Sequence, residues 1–140
     1  MPSKYPAFDR GRLKLLPLAG RQSDMDLSYV LQVGQAPLPF DHPDLPALAK
    51  SVAEARRRGA AVILLMGAHV IKQGLSRYVI DLIRRGWVSA VATNGACAIH
   101  DFELARIGAT TESVARYISE GQFGLWKDTG ELNDIVAAAP

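Results

Sequence analysis

The sequence is poor in cysteine, since Cys97 is the single one among 140 residues. An intrachain disulfide is therefore excluded, and the composition suits a reducing compartment. Long hydrophobic runs are also lacking, because the longest, about residues 59–71, is shorter than the roughly 20 residues of a membrane span. The first residues contain no apolar signal-peptide core. These features predict a cytoplasmic protein that does not associate with membranes.

An excess of one charge is lacking as well, because 16 basic and 14 acidic residues give a net charge of +2. The two signs alternate along most of the chain, so no nucleic-acid partner is predicted. The histidines His42, His69 and His100 are scattered, without the cysteine or carboxylate companions of a metal site. A chain of 140 residues that is 49% hydrophobic is long enough to build the core of one domain.

The clearest pattern that is present runs through the middle of the chain. Residues 60–66 form a short apolar run that is hydrophobic at both alternating positions, which is typical of a strand covered on both sides of a parallel sheet. An apolar stripe of helical period follows within residues 75–85, Gly86 ends it, and residues 87–92 form a second apolar run. Strand, helix and strand with these lengths predict a parallel pair joined by a right-handed crossover.

Two glycine-bearing loops follow the two predicted strands, at residues 67–74 and 93–101. The carboxyl ends of neighbouring parallel strands meet at one edge of a sheet, so we expect both loops to open onto one crevice. Gly67 and Gly74 bracket the first loop, where backbone N–H groups suit a phosphate. The loop has neither G-x-G-x-x-G spacing nor the lysine of a P-loop. Its spacing alone is therefore a weak indication of nucleotide binding.

His100 and Asp101 are the candidate catalytic residues, because a histidine and a carboxylate at the start of a helix beside the crevice suit proton transfer. The alternative interpretation is structural. An aspartate in a first helical turn balances the helix dipole, and a histidine there can be polar cover. Cys97 is predicted to be buried packing, because no histidine can be placed against it.

The flanking regions suggest an arm and a domain. Residues 1–43 are proline-rich with short apolar patches, of which residues 29–33 suggest a strand. We interpret this region as an N-terminal arm over the domain or a partner subunit, and the alternative is a partly disordered leader. Residues 44–140 are assigned to the Rossmann-like domain, opened by a helix with Asp44 as its cap and Pro46 in its first turn. Further helices are predicted over residues 97–107, from Thr111 to residue 118, and over residues 127–138.

The number of predicted strands is small for the number of helices. Two confident parallel strands, with one more near Tyr29, must cover several helices. We therefore predict an α/β fold with a Rossmann-like doubly wound parallel sheet that is incomplete, either half of a larger unit or dependent on association.

Both loops together resemble a known family. Residues 66–76 and 93–104 are similar to the deoxyhypusine synthase family, especially its bacterial and archaeal deoxyhypusine synthase-like members, over roughly residues 53–131. The resemblance implies a Rossmann-like NAD-binding fold in a homotetramer. It further implies an NAD-dependent transferase that moves an aminobutyl group from a spermidine-like polyamine, through an enzyme lysine, to an amine or a lysine of an acceptor protein. Carried over by position, the NAD contacts would be Gly67, Ala68, His69, Gly74, Thr93, Asn94 and Gly95, with Asp101 at an acidic position of the second loop.

The chain departs from the family pattern at both loops. Gly67-Ala68-His69 stands where members have Thr-Ser-Asn, and Ile99-His100 stands where they have paired glutamates. The region of the family's catalytic lysine would lie beyond residue 140. Two alternatives therefore stand beside the transferase: a nucleotide-binding or assembly module without turnover, and a related NAD enzyme acting on an amine that is not a polyamine.

Overall fold

The computed structural model describes residues 4–35 and 38–139. Within them, two short sheets of two strands each pair β1 with β4 and β2 with β3. Three 3-10 turns, Arg10–Arg12, Leu18–Gly20 and Leu27–Tyr29, lie in the N-terminal third. The strands and helices are β1 Ser23–Asp26, α1 Leu45–Arg57, β2 Ile63–Met66, α2 Ala68–Lys72, α3 Ser76–Arg84, β3 Ala90–Thr93, α4 Gly95–Ile107, β4 Ala109–Glu112, α5 Val114–Ser119 and α6 Lys127–Ala138.

The chain divides into two compact units. One unit runs from Met25 to Thr111 and contains β2, β3 and the helices between them. The other joins the segment that ends at Asp24 to the segment that begins at Glu112. The division expected at residue 43 differs from these bounds and stays a prediction.

The central strand–helix–strand pattern is confirmed. β2 and β3 are parallel neighbours, with Ile63 opposite Ala90 and Met66 opposite Thr93. The connecting helix α3 buries Val79 from its apolar stripe, and Gly86 at φ 68° follows its last turn. The carboxyl ends of the two strands therefore lie side by side, as the crossover predicted.

The two loops differ in structure. The first contains the five-residue helix α2, which begins directly after Gly67. The second is a tight strand-to-helix turn in which the side chain of Asn94 caps α4. At its other end, α4 stops at Gly108 in the left-handed conformation, which relieves the last carbonyls of the helix.

The expectation that β2 is covered on both faces is wrong. Ile63 and Leu65 point to one face and are 56% and 75% exposed, whereas Leu64 and Met66 are half-buried. Every residue of β3 is exposed. The apolar side chains of Ile63 and Leu65 favour burial, but nothing in the described part of the chain packs over their face of β2 closely enough to bury them.

Three local expectations at the flanks are also corrected. Residues 29–33 do not form a strand, because the 3-10 turn Leu27–Tyr29 lies there and the strand is upstream at Ser23–Asp26. Asp44 precedes α1, but its side chain makes no capping hydrogen bond. Thr111 does not cap a helix: it lies in β4 at φ 64°, and α5 starts at Val114. The last helix, Lys127–Ala138, has the predicted bounds.

The unit that holds both chain ends has its own small core around Trp126. The indole ring packs edge-on against Tyr117 with centroids 4.9 Å apart, and Leu18 is fully buried. The Glu112 carboxylate accepts hydrogen bonds from the Trp126 indole N–H (2.7 Å) and from the Gly124 amide (3.0 Å). These bonds fix the turn that leads into α6.

No helix in the described part of the chain is both long and apolar enough to cross a membrane.

Candidate functional site

An open cleft of about 510 Å³ lies at the carboxyl edge of the β2–β3 pair. Parallel register brings the two strand ends to the same height, so both glycine-bearing loops border it. A Cβ placed on Gly67 would lie 3.6 Å from the Asn94 side-chain nitrogen, which shows how closely the loops approach. The cleft is lined by Leu65, Met66, Gly67, Ala92, Thr93 and Asn94.

Asn94 caps α4 and also borders the first loop at this edge. Its Oδ1 accepts a hydrogen bond from the Cys97 amide at 3.0 Å, which caps α4. Its Nδ2 faces the position above Gly67. The amides of Gly95 and Ala96, in the first turn of a 13-residue helix, have no acceptor within the helix. The cleft therefore borders the positive end of a helix dipole.

The lining of the cleft is neutral. Its polar side chains are the Thr93 hydroxyl and the Asn94 amide, and the other lining residues are apolar or glycine. Among residues 4–35 and 38–139, no group of three His, Cys, Asp or Glu side chains is placed to hold a metal ion. Such a site offers hydrogen-bond donors and apolar contact to a ligand.

The predicted cofactor-binding residues divide into three sets. Gly67, Thr93 and Asn94 line the cleft. Ala68 and Gly95 begin the helices that leave it, and His69 is an exposed residue of α2.

Gly74 has a different position. It packs against the Tyr29–Val30 backbone at φ 78°, and its carbonyl accepts a hydrogen bond from the Leu31 amide at 3.0 Å. Its conformation and packing explain why glycine is needed there without any ligand.

His100 belongs to a buried hydrogen-bond chain. Its Nδ1 lies 2.7 Å from the Thr110 hydroxyl, which donates to Glu103 Oε2 at 2.7 Å. A hydroxyl has one proton, so when Thr110 donates to Glu103 it accepts from the imidazole only in the tautomer that carries the proton on Nδ1. Thr110 and Glu103 are almost fully buried, and Asp101 beside them is exposed. In this geometry His100 links α4 to β4 through the Thr110 hydroxyl. The catalytic role expected of His100 and Asp101 stays a prediction.

Sequence reasoning missed two members of that chain, Glu103 and Thr110. Glu103 follows His100 by three residues on α4, a spacing that places both on one helix face. That spacing was a usable signal. No sequence pattern pointed to Thr110, because its strand β4 is only four residues long. Cys97 is 3% exposed, which confirms its prediction as packing.

The parallel β2–α3–β3 unit, with its cleft at the carboxyl edge, defines an α/β protein of the Rossmann class whose sheets are small and whose fold is partial. A comparison with protein families agrees with that class. The family described as "Arginine dihydrolase ArgZ-like, C-terminal, Rossmann fold" matches residues 46–135. The chain belongs to this family.

This membership corrects the resemblance to the deoxyhypusine synthase family, which is wrong. The aminobutyl transfer from a polyamine that the resemblance implied is wrong with it. Rossmann folds of different families have glycines in the loops that follow their parallel strands, so these two loops do not by themselves identify a family. Comparisons with curated proteins and with solved structures gave no significant match.

Proposed function

We propose that this chain is a nucleotide-binding module of an arginine dihydrolase-like protein, and that it holds a dinucleotide such as NAD without performing chemistry itself. The observation that supports this most is the parallel register of β2 and β3, which brings the loop at Gly67 and the loop at Asn94 to the same edge of the sheet, where both residues line the cleft. Open α/β sheets bind ligands at such carboxyl edges. The family description, with its Rossmann fold, favours the same class of ligand.

The donors at the cleft suit a diphosphate. Gly67 has an extended backbone, φ −113° and ψ −174°, and no side chain, so a ligand can approach the main chain there. The α4 amides and the Asn94 Nδ2 can donate to phosphate oxygens, and the Thr93 hydroxyl can bond a ribose. Leu65 and Met66 supply apolar surface for a base. The cleft would thus give a nucleotide close access to the backbone, donors for its phosphates, a hydrogen bond for its ribose and apolar surface for its base.

The lack of reactive groups in the cleft lining favours binding over catalysis. Breaking a C–N bond of a guanidinium group needs a nucleophile or an activated water, with an acid or base beside it. The residues that line the cleft offer a threonine and an asparagine. The one cysteine, Cys97, lies in the first turn of α4 and is buried.

Isothermal titration calorimetry with NAD, ADP and adenosine tests the proposal. We expect NAD and ADP to bind and adenosine to bind more weakly, since it lacks the diphosphate. Saturating ligand should also raise the free energy of unfolding, by about 2.7 kcal/mol at a concentration of one hundred times Kd. Absence of binding by all three ligands would contradict the proposal.

A pair of glycine variants locates the binding. Gly67→Leu would fill the approach to the cleft, while its extended backbone accepts a side chain without strain. We expect this variant to fold and to lose nucleotide binding. Gly130→Leu is the matched control, because a Cβ at Gly130 meets no atom within 4 Å and the residue lies in α6. Equal binding by both variants would place the ligand elsewhere.

A further inference from the structure

Asn94 and Gly95 form the one asparagine–glycine pair of the sequence, whose other asparagine, Asn133, is followed by Asp134. An asparagine before a glycine is the sequence in which spontaneous deamidation is fastest, because glycine has no side chain to hinder the approach of its backbone nitrogen to the asparagine side chain. Both residues of the pair are exposed where α4 begins. The pair is therefore a candidate site of modification without an enzyme.

The reaction needs only the chain and water. The deprotonated backbone nitrogen of Gly95 attacks the side-chain carbon Cγ of Asn94. The bond from Cγ to Nδ2 breaks, and the leaving nitrogen takes up a proton and departs as ammonia, so that a succinimide ring remains. Water then opens the ring by breaking the bond from the Gly95 nitrogen to either of the two imide carbons, which gives aspartate or isoaspartate.

The start of α4 favours this attack. The Gly95 N–H lies in the first turn of the helix, where backbone N–H groups have no acceptor within the helix, so a base can reach its proton. The positive end of the helix dipole stabilises the anionic nitrogen and the oxyanion that forms on Asn94. A Cβ at Gly95 would meet no atom within 4 Å beyond its chain neighbours and its own helix backbone, so the pair is not enclosed.

The cap of α4 opposes the attack. Asn94 Oδ1 accepts a hydrogen bond from the Cys97 amide at 3.0 Å. This bond holds the side-chain amide toward Cys97, so Cγ turns toward the Gly95 nitrogen only when the cap opens. A capping bond favours the closed form by about fivefold, which slows the reaction without preventing it. We propose that Asn94 deamidates spontaneously in the folded chain, at a rate controlled by the opening of its cap.

Deamidation changes the charge at the edge of the sheet where the cleft lies. Asn94 lines the cleft, and its neutral amide becomes a carboxylate there. In isoaspartate the main chain also runs through the former side chain, so the capping geometry at the start of α4 is lost. The decrease in nucleotide affinity that follows rests on the proposed function, whereas the reaction itself does not.

Peptide mass mapping of stored protein tests the proposal without any ligand. The purified full chain is kept folded at neutral and at mildly alkaline pH, and trypsin then releases Asn94 and Asn133 in separate peptides, residues 86–106 and 128–140. We expect progressive conversion of Asn94, faster at the higher pH because the attacking group is the deprotonated amide. Asn133, within α6 and followed by an aspartate, should stay unchanged. A sample digested without storage gives the background.

Gly95→Ala is the matched variant, because alanine is a better helix former and its Cβ has room. Its Asn94 should convert several-fold more slowly, since the methyl group hinders the attacking nitrogen. In urea the wild-type chain should convert about fivefold faster than the folded chain, because its cap is open. Equal rates in the folded and unfolded chain would overturn the control by the cap.

The two asparagines of the wild-type chain keep the test valid if Gly95→Ala fails to fold. Equal conversion of Asn94 and Asn133, or an Asn94 that stays intact in the folded chain, would overturn the proposal. Calorimetry on the stored protein separates the proposal from the proposed function. We expect the affinity for NAD to fall as the converted fraction of Asn94 rises. Conversion in a chain that binds no NAD even when fresh would support the deamidation and contradict the nucleotide site alone.

Discussion

Gly74 occupies a backbone position that a residue with a side chain cannot take without moving its neighbours. Its φ is 78°, and a Cβ would overlap the carbonyl oxygen of Tyr29 and lie 3.2 Å from the Val30 Cα. We expect Gly74→Ala to lower the free energy of unfolding by at least about 2 kcal/mol, from the left-handed backbone together with the displaced chain. Urea unfolding followed by circular dichroism measures the loss.

Gly86 is the control for this substitution. It has a similar φ of 68°, but a Cβ there meets nothing within 4 Å. Gly86→Ala should therefore cost only the conformational part, about 1 kcal/mol. Equal losses for the two variants would show that packing against residues 29 and 30 contributes nothing.

At the residue scale, the ionisation of Asp26 makes the stability of the protein depend on pH. Hydrogen bonds from the Ser28 side chain, and then from the Ser28 amide at 2.8 Å, hold the pKa of its carboxyl below the usual aspartate value. A lowered folded-state pKa gives stability that is present above the unfolded value, about 3.9, and is lost as pH falls through the folded pKa. The stability difference between wild type and Asp26→Asn, measured by urea unfolding, should thus be present at pH 7 and disappear at acidic pH. A constant difference would contradict the prediction.

At the scale of elements, the stability of α4 depends on the capping residue that precedes its first turn. Asn94 caps the helix through Oδ1, and its Nδ2 faces the cleft. Asn94→Ala should lose about 1 kcal/mol of stability, and also bind nucleotide more weakly. Asn94→Asp keeps a capping oxygen but adds a negative charge beside the phosphate, so we expect near wild-type stability with nucleotide affinity reduced by about tenfold or more.

The two Asn94 variants separate capping from ligand binding. Chemical denaturation measures the stability that the cap contributes, and calorimetry measures the affinity for nucleotide. Asn133→Ala, at an exposed position within α6, should change neither. If Asn94→Asp binds nucleotide as tightly as wild type, no anion lies near the start of α4.

The elements that could be predicted from sequence are those with a local signal. α3, α4 and α6 have periodic apolar residues or glycine ends, and the parallel pair follows from the crossover length. β4 could not be predicted, because its four residues contain no alternation and Thr111 takes a conformation that threonine rarely adopts. The exposure of Ile63 and Leu65 was also beyond reach, since coverage depends on segments distant in sequence.

The candidate site was predictable as a location and less so as a set of residues. The strand ends brought Gly67, Thr93 and Asn94 together as expected. Gly74 was selected for the same reason as Gly67, yet a glycine pattern does not separate a ligand contact from a tight packing position. The family was misassigned for a related reason: short glycine loops after parallel strands recur in different Rossmann families.

At the scale of the whole molecule, each compact unit contains one of the two tryptophans. Trp87 lies in the unit Met25–Thr111, with the Arg56 guanidinium 4.1 Å from its ring. Trp126 lies in the unit that holds the chain ends, buried against Tyr117. Trp126→Phe and Trp87→Phe therefore give two proteins in which fluorescence reports the unfolding of one unit at a time.

Nucleotide should affect these two reporters differently. The cleft lies wholly within Met25–Thr111, and a ligand stabilises the structure that binds it in proportion to the logarithm of its concentration. We expect saturating NAD to raise the urea midpoint reported by Trp87 in the Trp126→Phe protein more than the midpoint reported by Trp126 in the Trp87→Phe protein. Adenosine at the same concentration is the control and should shift both little. Equal shifts with NAD would mean that the units unfold as one cooperative structure, so the division of the chain has no thermodynamic counterpart.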